Sequence, residues 1–470
     1  MSSAVSTARG TSYNTFLLVP ILLFFGLMTV GVLRSPSLVT SSGIGSAEIV
    51  VAPLILSTYA LMATALAGRA TVDLSIGPLI GFINVTMIQL HAAGIISSPI
   101  AVFAYSLFAG VVYQIVFGLI VIWVRVQPII VSLSGYLALS GINLVILPRP
   151  GGAAPEWMSG WGSGTTIFSP SIIMVAVATL GWLIFSATPF YGHLRLMGSD
   201  ERAAYTSGVR IGVVRIGAHV VCGLFAGLAS LSFTGLISSG DPTQGTTYTL
   251  ISVTALVLGG TSLAGGRATV FGSLLGALNL FLIGYVLSTF DFGAVQGFVT
   301  DLCYGLILVL SLLMTVALPY LQRWLRNVSP FIVFVVLGLL FIGVALHATY
   351  DYTALSPHAG APPAPVADQS AGSQEDAAAP QRRPPMNPEI FAPVLEQVQQ
   401  GPDFARTLLS TRTSQLAVLL LAIVIALRLL VWQASQRRLT PLLYAAIGVG
   451  GVLGVWLLMN TTALVARLGH

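Results

Sequence analysis

Between Phe16 and Val32 the chain carries no charged residue, and apolar runs of this kind recur as far as residue 460. A helix needs roughly 20 residues to cross the hydrocarbon of a bilayer. Inside that layer every backbone N–H and C=O must be satisfied within the protein, so such runs fold as helices. Candidate spans fall at 16–33, 48–66, 75–92, 99–124, 129–147, 167–186, 216–237, 250–264, 270–288, 297–318, 330–347, 414–432 and 441–460. The run 250–264 is short and ends in glycines, so it reads as a half-helix or a tilted span. The expected fold class is therefore all-α: a polytopic membrane protein with twelve or thirteen crossings.

Composition excludes the soluble alternatives. Of 470 residues, 55% are hydrophobic and 7% charged, where soluble domains carry about a quarter charged residues. All 20 cationic residues are Arg. Without a single Lys, no phosphate loop of the type GxxxxGK[ST] exists, so the chain cannot hydrolyse ATP by that route. The net charge of +5 is spread without a long basic run, which argues against nucleic acid as a partner. The six histidines have no zinc-type spacing. Cys222 and Cys303 lie in apolar runs and read as packing residues. No Ser-His-Asp or paired-carboxylate arrangement is visible, so no catalytic residue is expected.

Arginine placement gives an orientation. With the N-terminus inside, Arg9, Arg69, Arg125, Arg195, Arg202, Arg210, Arg215, Arg267, Arg323, Arg326, Arg437 and Arg438 face the cytoplasm. Only Arg34, Arg149 and Arg467 fall in short outer segments, which follows the positive-inside rule. The run after Phe16 reads as an uncleaved first span.

Residues 351–403 break the pattern. Ten prolines fall between Pro357 and Pro402, among Ala, Gln, Ser and Asp. Such a segment buries too little apolar surface to offset its ordering cost. The expected organisation is a transmembrane core at 1–329, a further helix at 330–350, an outer linker at 351–413 and a two-helix appendage at 414–470.

Three regions carry candidate function. The first is the polar connector Thr188–Arg215. Within it, Gly198, Ser199, Asp200, Glu201, Arg202, Ala203, Ala204, Tyr205, Thr206, Ser207 and Gly208 have helix punctuation. Ser199 or Asp200 can cap a start, acids fill the first turn, and Gly208 can end it. A short amphipathic helix on the inner face is predicted. The second is Leu258-Gly259-Gly260-Thr261-Ser262-Leu263-Ala264-Gly265-Gly266-Arg267. Irregular backbone of this kind is tolerated at membrane depth only where protein or water covers it, and Arg267 must lie at an interface or in a polar cavity. The third is Asp73 with Ser75. Asp73 follows Arg69 by four residues, so on a helix the two would share a face and could pair; either Asp73 or Ser75 would cap the next helix. Gly68-Arg69-Ala70-Thr71-Val72 is echoed by Gly266-Arg267-Ala268-Thr269-Val270, each followed three residues later by Ser (Ser75, Ser273), a possible internal repeat. Asn84, Gln114 and Asn279 are neutral polar residues on spans. They could bond a solute's hydroxyls, although such side chains more often join helices at about 1 kcal/mol each.

The order of these motifs resembles a known family. It comprises Val72-Asp-Leu-Ser-Ile-Gly77, Gln127-Pro-Ile-Ile-Val-Ser-Leu-Ser134, Asp200-Glu-Arg-Ala-Ala-Tyr-Thr-Ser-Gly-Val209 and Gly223-Leu-Phe-Ala-Gly-Leu-Ala229. Ser239-Gly-Asp-Pro-Thr-Gln-Gly245, Val257-Leu-Gly-Gly-Thr-Ser-Leu-Ala-Gly-Gly-Arg267 and Val270-Phe-Gly-Ser-Leu-Leu-Gly-Ala277 follow. Together they resemble the inner-membrane permease subunits of ribose/xylose/galactose-type ABC importers over roughly residues 16–318. The resemblance implies a ten-segment permease core, here with about three extra C-terminal helices, working in a bacterial inner membrane as a dimer with a second copy or a paralogue. It also implies a separate ATPase subunit that holds ATP and Mg, and an extracytoplasmic solute-binding protein. By the same resemblance Asp200–Gly208 would be the helix that couples to the ATPase. Asp73, Ser75 and the Gly-rich stretch would belong to the permeation core. Arg69-Ala70-Thr71 replaces the glycines that usually precede the aspartate, and residues 330–470 have no usual counterpart.

Overall fold

A computed structural model describes residues 17–68, 72–162, 169–290, 295–307, 309 and 330–355. Arg69, the linker beyond Leu355 and the spans expected at 414–432 and 441–460 lie outside the described residues.

Every element among the described residues is helical. The order is α1 (Leu18–Arg34), α2 (Ser41–Leu66), α3 (Ile76–Ala92), α4 (Pro99–Leu119, continued by a π turn Ile120–Val124) and α5 (Pro128–Ile146). Then come α6 (Pro170–Ser186), α7 (Pro189–Ser199), α8 (Glu201–Thr206), α9 (Ile211–Ile237), α10 (Tyr248–Leu258), α11 (Val270–Ser288), α12 (296–307) and α13 (Pro330–Leu355). The chain is thus all-α, and the expected spans in this part are present as helices. α2 and α9 are longer than their apolar cores. Thr40 extends α2 by accepting from Gly43 N at 3.1 Å, an N-cap that satisfies an otherwise orphaned donor.

α2 is the centre. From Val51 to Leu66 it is buried on every side, as expected of a helix that is apolar all round. α9 packs between α2 and α4. The approach to α4 is close because Gly110 faces Gly223: a Cβ on Gly223 would stand 2.5 Å from Gly110 O. This is small-xxx-small packing, in which dispersion between near-touching backbones replaces the missing hydrophobic drive. α6 closes on the core through Trp182, stacked on Phe225 of α9 at 5.4 Å. On the other side α1 packs against α11 and α13, with Phe25 edge-on to Phe334 at 5.2 Å. Cys222 and Cys303 are both free thiols.

The segment after α9 settles how 250–264 behaves. α10 has 11 residues, about 16 Å at the usual rise of ~1.5 Å per residue. It is a half-helix, and the Gly-rich stretch lies outside it. The other half of this crossing is irregular. Residues 239–247 run down the side of α3. Asn84 Nδ2 donates to Ser239 O at 3.0 Å, and Asp241 N donates to Asn84 Oδ1 at 2.9 Å. Further along, Thr249 Oγ1 donates to Leu74 O at 3.1 Å. These bonds tie the stretch to α3 and bury Gly240, Pro242 and Gly245, while Thr243, Gln244 and Thr247 stay exposed around a short 3-10 turn at Gln244–Thr247.

Gly266 N, in the second copy of the Gly-Arg-Ala-Thr-Val echo, donates to Leu66 O at 3.1 Å. The described residues that follow the two copies differ. Thr269 caps α11 directly, accepting from Gly272 N at 3.1 Å, whereas the chain stays non-helical from Val72 until α3 begins at Ile76. Asp73 Oδ1 takes the Ser75 N–H at 2.8 Å, and this local turn competes with helix formation.

Candidate functional site

Two polar sites sit inside this apolar body, one at the face that carries α7 and α8 and one at depth. The first is built from backbone. Thr188 caps α7, its Oγ1 accepting from Tyr191 N, and Pro189 opens that helix at its first turn, where the missing N–H costs nothing. The two helices meet at 77°, so α7 lies across the bundle end. Leu194 and Met197 bury its inner side. Asp200 then takes extended backbone and caps α8: its Oδ1 accepts from Arg202 N at 2.9 Å and Ala203 N at 3.0 Å. Of the two caps suggested by sequence, Asp200 is the one that acts. The helix ends as its punctuation suggested. Gly208 has φ +83°, Val209 N donates to Ala204 O and Gly208 N to Tyr205 O, which is the Schellman arrangement. Ala204 is buried, while Tyr205 is 74% exposed. Ser207 Oγ donates back to Ala203 O.

Glu201 does not face outward. Its Oε2 meets Arg215 Nη2 at 3.0 Å, which pins α8 to the first turns of α9. Arg215 is nearly buried, so removing Glu201 would strand a desolvated guanidinium without its carboxylate.

The Gly-rich stretch folds against the same place. Gly259 ends α10 as its C-cap and Gly260 turns the chain at φ +83°. Thr261 is buried. Gly265 and Gly266 follow at φ +104° and +71°, backbone that side chains with a Cβ rarely adopt. A Cβ at Gly265 would strike Gly68 and Gly198. Tyr191 OH of α7 donates to Ala268 O at 3.3 Å. Arg267 is half-buried and its guanidinium is lowered from the usual value by desolvation, though it stays charged. The end of α2, the α7–α8 corner and the Gly-rich loop thus meet backbone to backbone, with Gly198 at the centre.

The second site is Asp73. It is fully buried, and it is not on a helix, so the argument for an Arg69 pair from a shared helix face does not hold. Its partners are neutral. Ser75 N and Oγ donate to Oδ1 at 2.8 and 2.5 Å, and Gln114 Nε2 of α4 donates to Oδ2 at 2.5 Å. Tyr113 OH donates to Ser75 Oγ at 2.8 Å. Leu74 N donates to Ser132 Oγ of α5 at 2.6 Å. Ser75 is the N-cap position of α3 but makes no side-chain cap bond; its hydroxyl serves Asp73 instead. Behind Gln114 stands His219 of α9, whose Nδ1 lies 2.8 Å from Gln114 Oε1.

Sequence reasoning singled out Asp73, Ser75 and Gln114 separately; the fold joins them. It missed Tyr113, Ser132 and His219, although a His and a Gln inside apolar runs were a signal. Asn84 and Asn279 are also buried. Asn84 is engaged by Thr234, Ser239 and Asp241, and Asn279 Nδ2 donates to Pro20 O at 2.8 Å. Their bonds go to the chain itself and hold helices together. No cluster of three or more metal-ligating side chains occurs among the described residues.

Comparison with known proteins agrees with this architecture. Residues 26–317 match the family model described as the branched-chain amino acid transport system permease component. The ribose import permease protein RbsC of Escherichia coli K12 is 29% identical over 249 residues, 52% of this chain and 76% of that protein. The autoinducer 2 import system permease protein LsrC of Salmonella choleraesuis is 30% identical over 243 residues, 50% of this chain and 67% of that one. The galactose/methyl galactoside import permease protein MglC of Salmonella typhimurium is 29% identical over 193 residues, 38% of this chain and 56% of that one. No solved structure matches the chain. The matched region contains both polar sites and the broken crossing that joins them, and the chain belongs to this family of membrane permease components.

Proposed function

We propose that this chain is the membrane-spanning subunit of an ATP-driven importer that moves a simple sugar or similar polar solute by alternating access. Relatives named for ribose, autoinducer 2 and galactose import support the solute class over a branched-chain amino acid or a non-transporting receptor. In this reading a separate ATPase subunit binds ATP and Mg, an extracytoplasmic protein delivers the solute, and a second copy or a paralogue completes the pathway. The membrane is the bacterial inner membrane, with the N-terminus and α8 in the cytoplasm. The chain itself transports and does not catalyse.

The observation that carries the reading is the construction of α8. A helix of six residues is far too short to be stable alone. Asp200, the Schellman turn and the Glu201–Arg215 pair hold it rigid, and its outer side presents Arg202, Ala203, Tyr205 and Thr206. A rigid knob with an exposed aromatic is suited to docking in a partner's cleft and passing on a push. Tyr205→Ala combined with Arg202→Glu is expected to abolish co-purification of a co-expressed cognate ATPase subunit, while the protein still inserts and elutes as a single species. Retention of the ATPase by that variant would remove the coupling role. The transport reading itself is tested by reconstitution with that ATPase and a cognate binding protein: solute-dependent ATP turnover is expected, and its absence across a screen of pentoses and hexoses would overturn it.

A further inference from the structure

Two routes of contact run from α8 and its surroundings to one pair of neighbours, the part-buried Leu74 and the buried Ser75. One passes through the Gly-rich loop: the loop touches α7, continues α10, and α10 holds Leu74 O through Thr249 Oγ1 at 3.1 Å. The other is a line of side chains. Glu201 of α8 holds Arg215 at 3.0 Å. Arg215 and His219 lie one turn apart on α9 and so share a face. His219 meets Gln114 at 2.8 Å, Gln114 meets Asp73 at 2.5 Å, and Asp73 holds Ser75 by both its N–H and its hydroxyl.

The direction of this line follows from chemistry. A carboxylate only accepts hydrogen bonds, so the Gln114 amide nitrogen must face Asp73. Its Oε1 then faces His219, and His219 Nδ1 must carry the proton. Glu201 is part-buried and Arg215, His219, Gln114, Asp73 and Ser75 are buried, where losing a hydrogen-bond partner is costly. The line ends at the start of α3. Asp73 takes the Ser75 N–H at 2.8 Å and the chain stays non-helical from Val72 to Ser75, a local side-chain bond of the kind that competes with helix formation.

We propose that Arg215, His219 and Gln114 are positioning residues that couple the docking state of α8 to the helical break at Asp73–Ser75, so that disturbing α8 changes whether α3 begins at Ile76 or earlier. The proposal deepens the transport reading and rests on it for its purpose, but its physical content does not need an ATPase or a solute. A physical coupling requires an element whose equilibrium both ends bias, and the proposal assigns that part to the break, with α3 beginning at Ile76 in one state and a turn earlier in the other.

The test is hydrogen–deuterium exchange on the full-length protein in phospholipid nanodiscs, read on peptides covering 72–80. Glu201→Gln and Arg215→Met are expected to change protection at the Leu74 and Ser75 amides, far from either substitution. His219→Leu is expected to do the same, whereas His219→Asn, whose amide nitrogen can replace Nδ1 as donor to Gln114, retains the wild-type pattern. Gly192→Ala, on the exposed side of α7 where an added Cβ meets nothing within 4 Å, serves as the control and leaves 72–80 unchanged. Unaltered exchange at 72–80 in Glu201→Gln and Arg215→Met overturns the proposal, as does an equal change in Gly192→Ala. Should His219→Leu fail to insert, the two α8–α9 variants decide the matter alone. Failure of the transport reading would show as absent solute-dependent ATP turnover and would leave the exchange result standing.

Discussion

Asp73→Ala is expected to destabilise the protein by about 3 kcal/mol or more, while Asp73→Asn stays within about 1 kcal/mol of wild type. Alanine leaves Ser75 N, Ser75 Oγ and Gln114 Nε2 without their acceptor in a fully buried site. Each orphaned donor costs roughly 1–3 kcal/mol. Part of that loss is offset, because a buried carboxylate carries a desolvation cost that the substitution removes. Asparagine is different. Its oxygen keeps the two Ser75 donors, and its amide nitrogen faces Gln114. Gln114 then turns over to present Oε1, and its Nε2 meets His219 in the tautomer that accepts at Nδ1. The network survives with its direction reversed. Thermal unfolding in a mild detergent compares the two variants. Equal loss in both would show that the negative charge, rather than the hydrogen-bond count, holds the site together. Solute uptake adds a second reading: under the proposed mechanism Asp73→Ala abolishes transport, because the break before α3 loses the bonds that define it.

The second large effect is at Gly198. Gly198→Ala is expected to cost about 1–3 kcal/mol by overpacking, and Gly192→Ala, in the same helix, to be neutral or to gain up to about 1 kcal/mol from helix propensity. A Cβ on Gly198 would strike Leu66 O and approach Gly266 N at 2.6 Å, both backbone atoms without a rotamer to yield. A Cβ on Gly192 meets nothing within 4 Å. One substitution at two sites of α7 thus has opposite expected signs. The readout is the unfolding midpoint of each variant together with co-purification of the ATPase. If Gly198→Ala keeps both, the meeting of α2, α7 and the Gly-rich loop is looser than its backbone contacts imply, and the loop cannot serve as a rigid link.

Much of this protein was legible before any coordinates. The apolar runs announced α1 to α6, α9, α11 and α13 because the bilayer leaves a long uncharged segment one way to satisfy its backbone. The short, glycine-ended run 250–264 left a half-helix and a tilted span both open, and α10 is the half-helix. Gly208 and the acids around Asp200 marked α8, because caps and αL residues act through their immediate neighbours. Local signals failed where long-range contact decided. The echo of Gly-Arg-Ala-Thr-Val suggested two like segments, yet one starts a helix at Val270 and the other breaks at Asp73. The four-residue spacing from Arg69 to Asp73 suggested a shared helix face, and Asp73 has no helix to share. Glu201 read as part of an exposed helix and turns inward to Arg215.

What the sequence by itself determined is the class of structure, its helices, and the motif order that identifies the family, since each depends on composition and on residues within about one turn of one another. What only the tertiary structure decided is the polar interior. Asp73, Gln114, His219, Arg215 and Glu201 come from a break and three helices, α4, α9 and α8, separated by as many as 105 positions between hydrogen-bonded partners. No local pattern encodes such pairing. It follows from the close approach of α4 to α9 at Gly110 and Gly223, which brings Gln114 and His219, one turn beyond, within bonding distance. Burial then requires each polar group to take the one partner that geometry offers.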